Sequence, residues 1–345
     1  DRCDDQTLDI EIFPNRPDLL SGETLTRAIR NFVHRQPAKP SINTTEGKIT
    51  LNVEPDLAEI RPVILGAVVR NVDYTSIGVS ADEFIKSLMD HQEKLHFALG
   101  RGRKRASIGV HDLAKLAPPF TVKAVSGDTK FTPLAATEPM SIKDIMAEHP
   151  KGIEYAHLLS EFDQYPIILD AENNVLSFPP IINGDHTTVT KETKDFFIDV
   201  TGWDIRACES SLMLIALQLQ EYGGIIETVE VTNCFGTTNV YPNGSAVEHK
   251  LTVAAIQGLL GSKLTEVAIS GAINRMGGKL VAYDDEFITL EMPRWRFDIL
   301  HPVDLVEDIA IGHGYEDLGH DIPRSPMTAK PVSYTHLRAH ETLLD

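Results

Sequence analysis

The stretch "FFIDVTGWD", residues 196–204, decides the fold class. Its aromatic and β-branched residues read as an interior strand. Directly after it, Ile205, Cys208, Leu212, Ile215, Leu219 and Tyr222 recur at steps of three and four, an amphipathic helix closed by Gly223 and Gly224. Further strand-like runs stand on both sides: "YPIILD" and "VLSFP" before it, "IIETVEV" after the helix. Grouped strands with interspersed helices make the chain α+β. Asp199 is the anomaly in the run. A carboxylate inside such a strand costs on the order of several kcal/mol unless it is paired or meets a ligand. Either it caps a turn or accepts from neighbouring amides, with Thr201 continuing the strand, or it belongs to a site.

A second anomaly lies in "VLSFPPIING", residues 175–184. Leu176 and Phe178 face one way and Ser177 the other. Pro179 and Pro180 then stop the ladder, because neither has an N–H to donate, and Asn183-Gly184 is a turn dipeptide. A lone hydroxyl beside a rigid, donor-free corner marks Ser177 as a candidate site residue.

Working outward, Ser21 caps a helix whose face is Leu25, Ala28, Ile29, Phe32 and Val33. Residues 48–72 read as two strands around "EPDLAEIRP". The "SADE" of 80–83 is a capping box opening a helix with Phe84, Leu88, Leu95 and Leu99 on one stripe, ended by Gly100. "ASIGVHDL" reads as a strand and Ser141 as another cap. Beyond residue 236 come two short helices, near 251–260 and 264–276, then the hairpin pattern "GGKLVAYDDEFITLEMP" and a helix after Pro302. That order suggests a small winged-helix-like module. At the other end, Leu8, Ile10 and Ile12 alternate as in a strand, as though the chain begins inside a domain. Residues 331–345 read as a non-native tail, and its histidines are not offered as ligands.

The formal net charge of −18 excludes a binder that meets nucleic acid with its whole surface. A polyanion needs a local basic patch, and "RGRKR" supplies one in Arg101, Arg103, Lys104 and Arg105, unless these form a solvated turn. No apolar run approaches a membrane span, so no membrane partner is expected. Cys3, Cys208 and Cys234 lack metal spacing, which predicts reduced thiols and a cytoplasmic protein. There is no Walker loop, dinucleotide fingerprint, HExxH or nucleophile elbow. In "DILHPVDLVED", Asp304, Glu307 and Asp308 fall at i, i+3 and i+4 behind Asp298. They are either a first helical turn suited to the helix dipole or an all-oxygen set for Mg²⁺.

Together these stretches resemble the β subunit of phenylalanyl-tRNA synthetase of the archaeal and eukaryotic type. The similarity runs from "LDIEIFPNRPDLLS" through "RASIGVHDL", "KGIEYAHLL", "YPIILDAENNVLSFPPIING" and "FFIDVTGWD" to "PRWRFDILHPVDLVEDIAIGHGYEDL", nearly all of 8–320. It implies a chain without the family's first few dozen residues and its C-terminal part. The segments it implies are a partial N-terminal piece (1–46), a mixed-sheet editing module (47–235), a winged-helix-like module with the acidic cluster (236–320), and a linker and non-native tail (321–345). The implied partners are an α subunit, in an α₂β₂ heterotetramer, and tRNA(Phe). The assembled enzyme charges that tRNA with phenylalanine, using ATP on the α subunit and Mg²⁺ shared between subunits.

The resemblance also implies an editing reaction, hydrolysis of Tyr-tRNA(Phe). Tyrosine is phenylalanine plus one hydroxyl, and an apolar pocket rejects such an addition poorly. A second site that requires the hydroxyl solves this, because phenylalanine leaves its polar groups unpaired at roughly 1–3 kcal/mol. By family match, Ile168 (where the family can have leucine), Ser177, Asp199 and Thr201 form the pocket. Glu154 and His157 in "EYAHLL" are further candidates, and His157 or His186 could serve as a base. Asp298, Asp304, Glu307 and Asp308 match the Mg²⁺ positions. The competing readings are a non-catalytic scaffold for tRNA docking and subunit assembly, and a Mg²⁺-dependent hydrolase centred on Asp298–Asp308.

Overall fold

The computed structural model of the protein describes residues 8–33 and 36–318. The first helix, α1 (Gly22–Phe32), starts at Ser21, whose hydroxyl accepts from Thr24 N at 3.1 Å. There follow β1 (Thr50–Val53), β2 (Val63–Arg70), α2 (Ala81–Ala98), β3 (Ala106–Asp112), β4 (Phe120–Ser126), β5 (Lys130–Phe131), β6 (Met140–Ser141), α3 (Ile142–Glu148) and α4 (Pro150–Tyr155). Next come β7 (Gln164–Leu169), β8 (Val175–Phe178), β9 (Ile182–Asn183), β10 (Phe196–Gly202), α5 (Ile205–Glu221), β11 (Ile225–Thr232) and β12 (Thr238–Tyr241). The helix starts are local chemistry: Ser80 with Glu83 and Ser141 with Asp144 form capping boxes, and the Asp204 carboxylate accepts from Ala207 N.

Ten strands build one mixed sheet in the order β3-β10-β2-β11-β1-β4-β7-β8-β9, with β12 added to β11. β1 runs parallel to both β11 and β4, and the other pairs are antiparallel. At the β2-β10-β3 end the side chains alternate strictly between two environments. Leu65, Ala67, Val69, Ala106, Ile108, Val110, Phe196, Ile198 and Val200 pack into one core with α2 and α5. The other face carries Ser107, Gly109 and His111 opposite Thr201, Asp199 and Phe197. The polar residues of two fully buried strands therefore meet as direct cross-strand neighbours, on the face away from the helices.

β3 is the last strand of the sheet on this side, so its outer backbone groups lack a ladder partner. α2 supplies the partners. Gln92 Nε2 donates to Ile108 O at 2.7 Å, and Ile108 N donates to His96 Nε2 at 2.8 Å.

The second module contains β13 (Val247–Thr252), α6 (Val253–Leu260), α7 (Glu266–Arg275), β14 (Lys279–Tyr283), β15 (Phe287–Met292) and α8 (Pro302–His313). Its sheet has the order β13-β15-β14 and its own apolar core, in which Ile273, Leu290, Met292 and Ile309 are buried.

Three sequence expectations change. The alternation of Leu8, Ile10 and Ile12 makes no strand among the described residues: residues 9–13 carry no regular element, and Leu8 and Ile10 are exposed. The apolar face of α1 is only partly covered, with Ile29, Phe32 and Val33 exposed. The Ile205–Glu221 helix reads as amphipathic yet is buried almost all round, including Ser210, Ser211 and Gln218, because α2 and the sheet enclose it. The tail expected at 331–345 lies outside the described residues. Among those described, no helix is long and apolar enough to cross a membrane.

The capping of β3 by α2 is open to test. His96→Leu should destabilise the protein by about 1–3 kcal/mol in denaturant melts, since it strands the buried Ile108 N–H. An unchanged midpoint would show that this edge needs no cap.

Candidate functional site

The polar face of β3 and β10 forms part of the lining of a cleft of about 210 Å³. α2 contributes Ile85, Met89, Gln92 and Glu93, and the chain from Pro179 to Val189 closes the opposite side. Beside Gln92, Glu93 and Thr188, the polar groups include Ser107, Ser177, Asn183, Thr187 and Asp199, and Arg103 and Lys151 are the cations.

Asp199 is 1% exposed. Its Oδ2 lies 2.7 Å from His111 Nε2, and His111 Nδ1 lies 2.8 Å from Thr187 Oγ1. Behind this pair runs a second chain of bonds. Arg61 Nε donates to Thr201 Oγ1 at 2.7 Å, and the Thr201 and Ser107 hydroxyls are 3.1 Å apart. Arg61 Nη2 also donates to the carbonyls of Thr201 and Arg103. Burial lowers the Arg61 guanidinium to about 10, with Cys208 and Asp199 opposing the shift, so it stays charged at neutral pH.

The structure brings only two of the expected pocket residues to the cleft, Ser177 and Asp199. Ser177 donates to Asn183 Oδ1 at 3.3 Å across the β8–β9 turn, which the Pro179-Pro180 corner completes. Ile168 and Thr201 lie one layer behind: Ile168 is wholly buried, paired with Ser177, and Thr201 supports Ser107. Glu154 and His157 do not reach it. Both are exposed, the first paired with Lys151 at 3.1 Å, the second 3.1 Å from the Glu154 carbonyl. From that segment Lys151 lines the cleft instead. His186 is exposed and outside the lining.

The basic run divides. Arg101, Gly102 and Arg103 all have positive φ (48°, 63°, 67°), a tight turn that points Arg103 inward. Arg103 Nη1 donates to the carbonyls of Pro180 and Ile181 at 3.3 and 3.0 Å, Nη2 to Glu93 at 2.6 Å, and its guanidinium lies 4.3 Å from the Tyr155 ring centroid. Arg105 is ion-paired with Asp204. Arg101 and Lys104 stay exposed. Arg103 is thus a strut of the cleft wall rather than a surface cation.

The acidic cluster does not assemble as expected. Arg296 lies between Asp298 (2.9 and 2.7 Å) and Asp308 (2.9 Å), and its guanidinium fills the space a cation would need. Asp304 is turned to the backbone, accepting from Leu300 N and His301 N at 2.7 Å each, and Glu307 is exposed. Among the described residues no group of three or more His, Cys, Asp or Glu side chains is placed to hold a metal ion. In this chain the four carboxylates are thus engaged by Arg296 or backbone amides or turned to solvent, while Asp308 Oδ2 is buried without a hydrogen-bond partner among the described residues. Burial, against the pull of Arg296, raises the Asp308 carboxyl. Burial pushes the Cys208 thiol up to about 12 and raises that of Cys234, while Cys3 lies outside the described residues.

His111, Gly109, Thr187 and Arg61 escape the sequence reading of the site. The signal for the first two was the alternation within "ASIGVHDL", where serine, glycine and histidine share one face. For Arg61 it was a lone cation in "EIRPVIL".

Two family models match the chain: the B3/4 domain over residues 64–218 and the tRNA synthetase B5 domain over residues 249–315. The first match contains most of the cleft, the second most of the small module. A protein that carries both on this fold is of the aminoacyl-tRNA synthetase class. The relatives narrow it further. The phenylalanine–tRNA ligase beta subunit of Methanosarcina acetivorans is 44% identical over 346 residues, covering 100% of this chain and 62% of that one. That of Archaeoglobus fulgidus is 39% identical, covering 94% and 57%. The crystal structure of an N-terminal fragment of the phenylalanyl-tRNA synthetase beta-subunit from Pyrococcus horikoshii superposes with a TM-score of 0.82 at 32% identity, covering 88% of this chain and 85% of that one. The chain belongs to the phenylalanine–tRNA ligase β-subunit family. It spans 62% or less of the length of these full-length relatives.

Glu93 gives a pH test of the cleft wall. It faces His96 Nδ1 at 3.5 Å and takes Arg103 at 2.6 Å, and these neighbours hold its half-buried carboxyl down to about 2 from 4.5. A depressed carboxyl stabilises the fold above its unfolded value and loses that contribution as pH falls through the folded one. Glu93→Gln should therefore melt below wild type at pH 7, and the gap should close between about pH 4.5 and 2. A gap independent of pH would show that Glu93 charge does not hold the wall.

Proposed function

We propose that this chain is the editing and docking part of a phenylalanine–tRNA ligase β subunit, and that its cleft hydrolyses the tyrosyl ester of tRNA(Phe). The observation that carries the reading is a buried carboxylate, Asp199, in a cleft whose apolar wall is made by Ile85, Met89, Ile181, Ile182 and Val189, beside the polar side chains named above. Such walls suit an aromatic ring. The carboxylate suits a phenolic hydroxyl, since an ionised acceptor holds a hydroxyl more strongly than a neutral one. A phenylalanyl group would bury the same carboxylate without a partner. Selection thus rests on what the wrong amino acid has and the right one lacks.

In the reaction a water oxygen adds to the ester carbonyl carbon, the bond to the ribose oxygen breaks, and that oxygen leaves with a proton. Ser177 and Asn183 are placed to orient the amino group or the water. The neighbouring ribose hydroxyl can assist, as bound and oriented groups do. The partners in this reading are tRNA(Phe) and an α subunit. ATP and Mg²⁺ belong to the assembled ligase, the metal shared between the subunits. A scaffold that only docks tRNA has no use for a carboxylate kept in an apolar cleft.

Asp199→Ala should slow single-turnover hydrolysis of Tyr-tRNA(Phe) ten- to a hundredfold, matching about 1.5–3 kcal/mol for a charge-assisted hydrogen bond. Ser177→Ala should cost less. An Asp199→Ala protein that melts earlier yet hydrolyses normally while folded would make the residue structural. For the tRNA contact, the double change Arg101→Ala and Lys104→Ala should lower affinity and reduce the log–log salt slope by about one to two. A slope equal to that of wild type would place the phosphates elsewhere.

A further inference from the structure

We propose that His111 is a positioning residue for Asp199 and thereby sets selectivity between hydroxylated and plain aromatic esters; the selectivity claim rests on the editing reading above. Asp199 Oδ2 is taken by His111 Nε2 at 2.7 Å, while Oδ1 has no hydrogen bond among the described residues. One oxygen is held and the other is left for a ligand. A carboxylate oxygen accepts, so Nε2 carries a proton; on the other side Nδ1 lies against Thr187 Oγ1, which also bonds the Gly184 carbonyl at 3.0 Å.

Three further observations give the histidine this task. Its ring is 0% exposed and lies against Phe197, centroids 6.1 Å apart, so it cannot swing away. Thr187 lines the cleft from the opposite wall, so the imidazole ties strand β10 to the 184–188 turn across the site. Gly109, directly opposite Asp199, leaves the pair its room: a Cβ there would stand 2.0 Å from Asp199 Oδ2 and 2.7 Å from His111 Nε2. The buried cation Arg61 hydrogen-bonds Thr201 and main-chain oxygens instead of Asp199. His111 is therefore the hydrogen-bond donor that fixes the carboxylate without neutralising it through a direct salt bridge to arginine. A carboxylate free to rotate would offer either oxygen, in no fixed direction, and a fixed phenol would find it less often.

The test uses two substitutions that each keep half of the imidazole. In His111→Gln the amide nitrogen can stand in for Nε2 and keep the Asp199 contact; in His111→Asn the amide can keep only the Thr187 side. Single-turnover hydrolysis is followed with Tyr-tRNA(Phe) and Phe-tRNA(Phe), beside thermal melts, on the whole chain. His111→Asn should slow the tyrosyl ester about tenfold, change the phenylalanyl ester less than about twofold, and His111→Gln should restore most of the loss. If both variants slow both esters alike in step with their melting temperatures, or if neither changes the ratio, His111 is only a satisfied core histidine and the proposal falls. A second measurement does not depend on hydrolysis. Proton–nitrogen NMR of the His111 ring should show a hydrogen-bonded Nε2–H in the free protein that Asp199→Ala removes. A wild type that hydrolyses neither ester while showing this signal would overturn the editing reading and keep the Asp199–His111 lock; a ring protonated on Nδ1 alone would overturn the lock itself.

Discussion

A carboxylate in the middle of a strand buried on both faces is the constraint from which the rest of this architecture follows. Asp199 is all but closed off from bulk water, so the fold must bring a donor to it from an element distant in sequence. The antiparallel pairing of β10 with β3 does so. Its register sets glycine opposite the carboxylate and histidine two residues along, on the same face. Shift the pairing by one residue and the polar set would face α2 and α5, where nothing could satisfy it. The register that fills the apolar core is the same register that builds the polar cleft.

Arginine does much of the internal joining in a chain whose net charge is strongly negative. Arg61 holds the backbone of β10 to the turn after α2, and Arg103 ties α2 to the proline corner. Arg296 draws Asp298 and Asp308 together in the small module. Each planar guanidinium reaches several oxygens at once, which a lysine could not do with fixed geometry. These contacts bury charge and contribute little net stability compared with an apolar replacement, but losing one partner would leave the other exposed to a dry interior. They fix where segments sit more than how strongly they hold.

What the sequence showed and what it hid divide along the same physical line. Helix starts at Ser21, Ser80, Ser141 and Asp204 are written within four residues, so they were legible. So was the strand that breaks at Pro179. The family, too, was legible in long matching stretches. The fates of Arg103, Arg105 and Arg296 were not, because a cation in a basic run or beside acids looks the same whether it points out or in. Apart from Asp298, two residues from Arg296, their acidic partners lie 10 to 99 residues away and are chosen by the tertiary fold. Asp298, Asp304, Glu307 and Asp308 show the same limit: helical spacing placed three of them near one another, but their orientation depends on Arg296 and on the backbone amides before α8. Leu8 and Ile10 alternate as a strand should, but alternation alone does not make a ladder.

The way Arg103 grips the proline corner has an evolutionary consequence. It holds the carbonyl oxygens of Pro180 and Ile181, which any amino acid presents. The clamp therefore reads the path of the chain and not the identity of its side chains. Residues of this rim can drift, and the ligand they admit can drift with them, while the frame that carries the carboxylate keeps its shape.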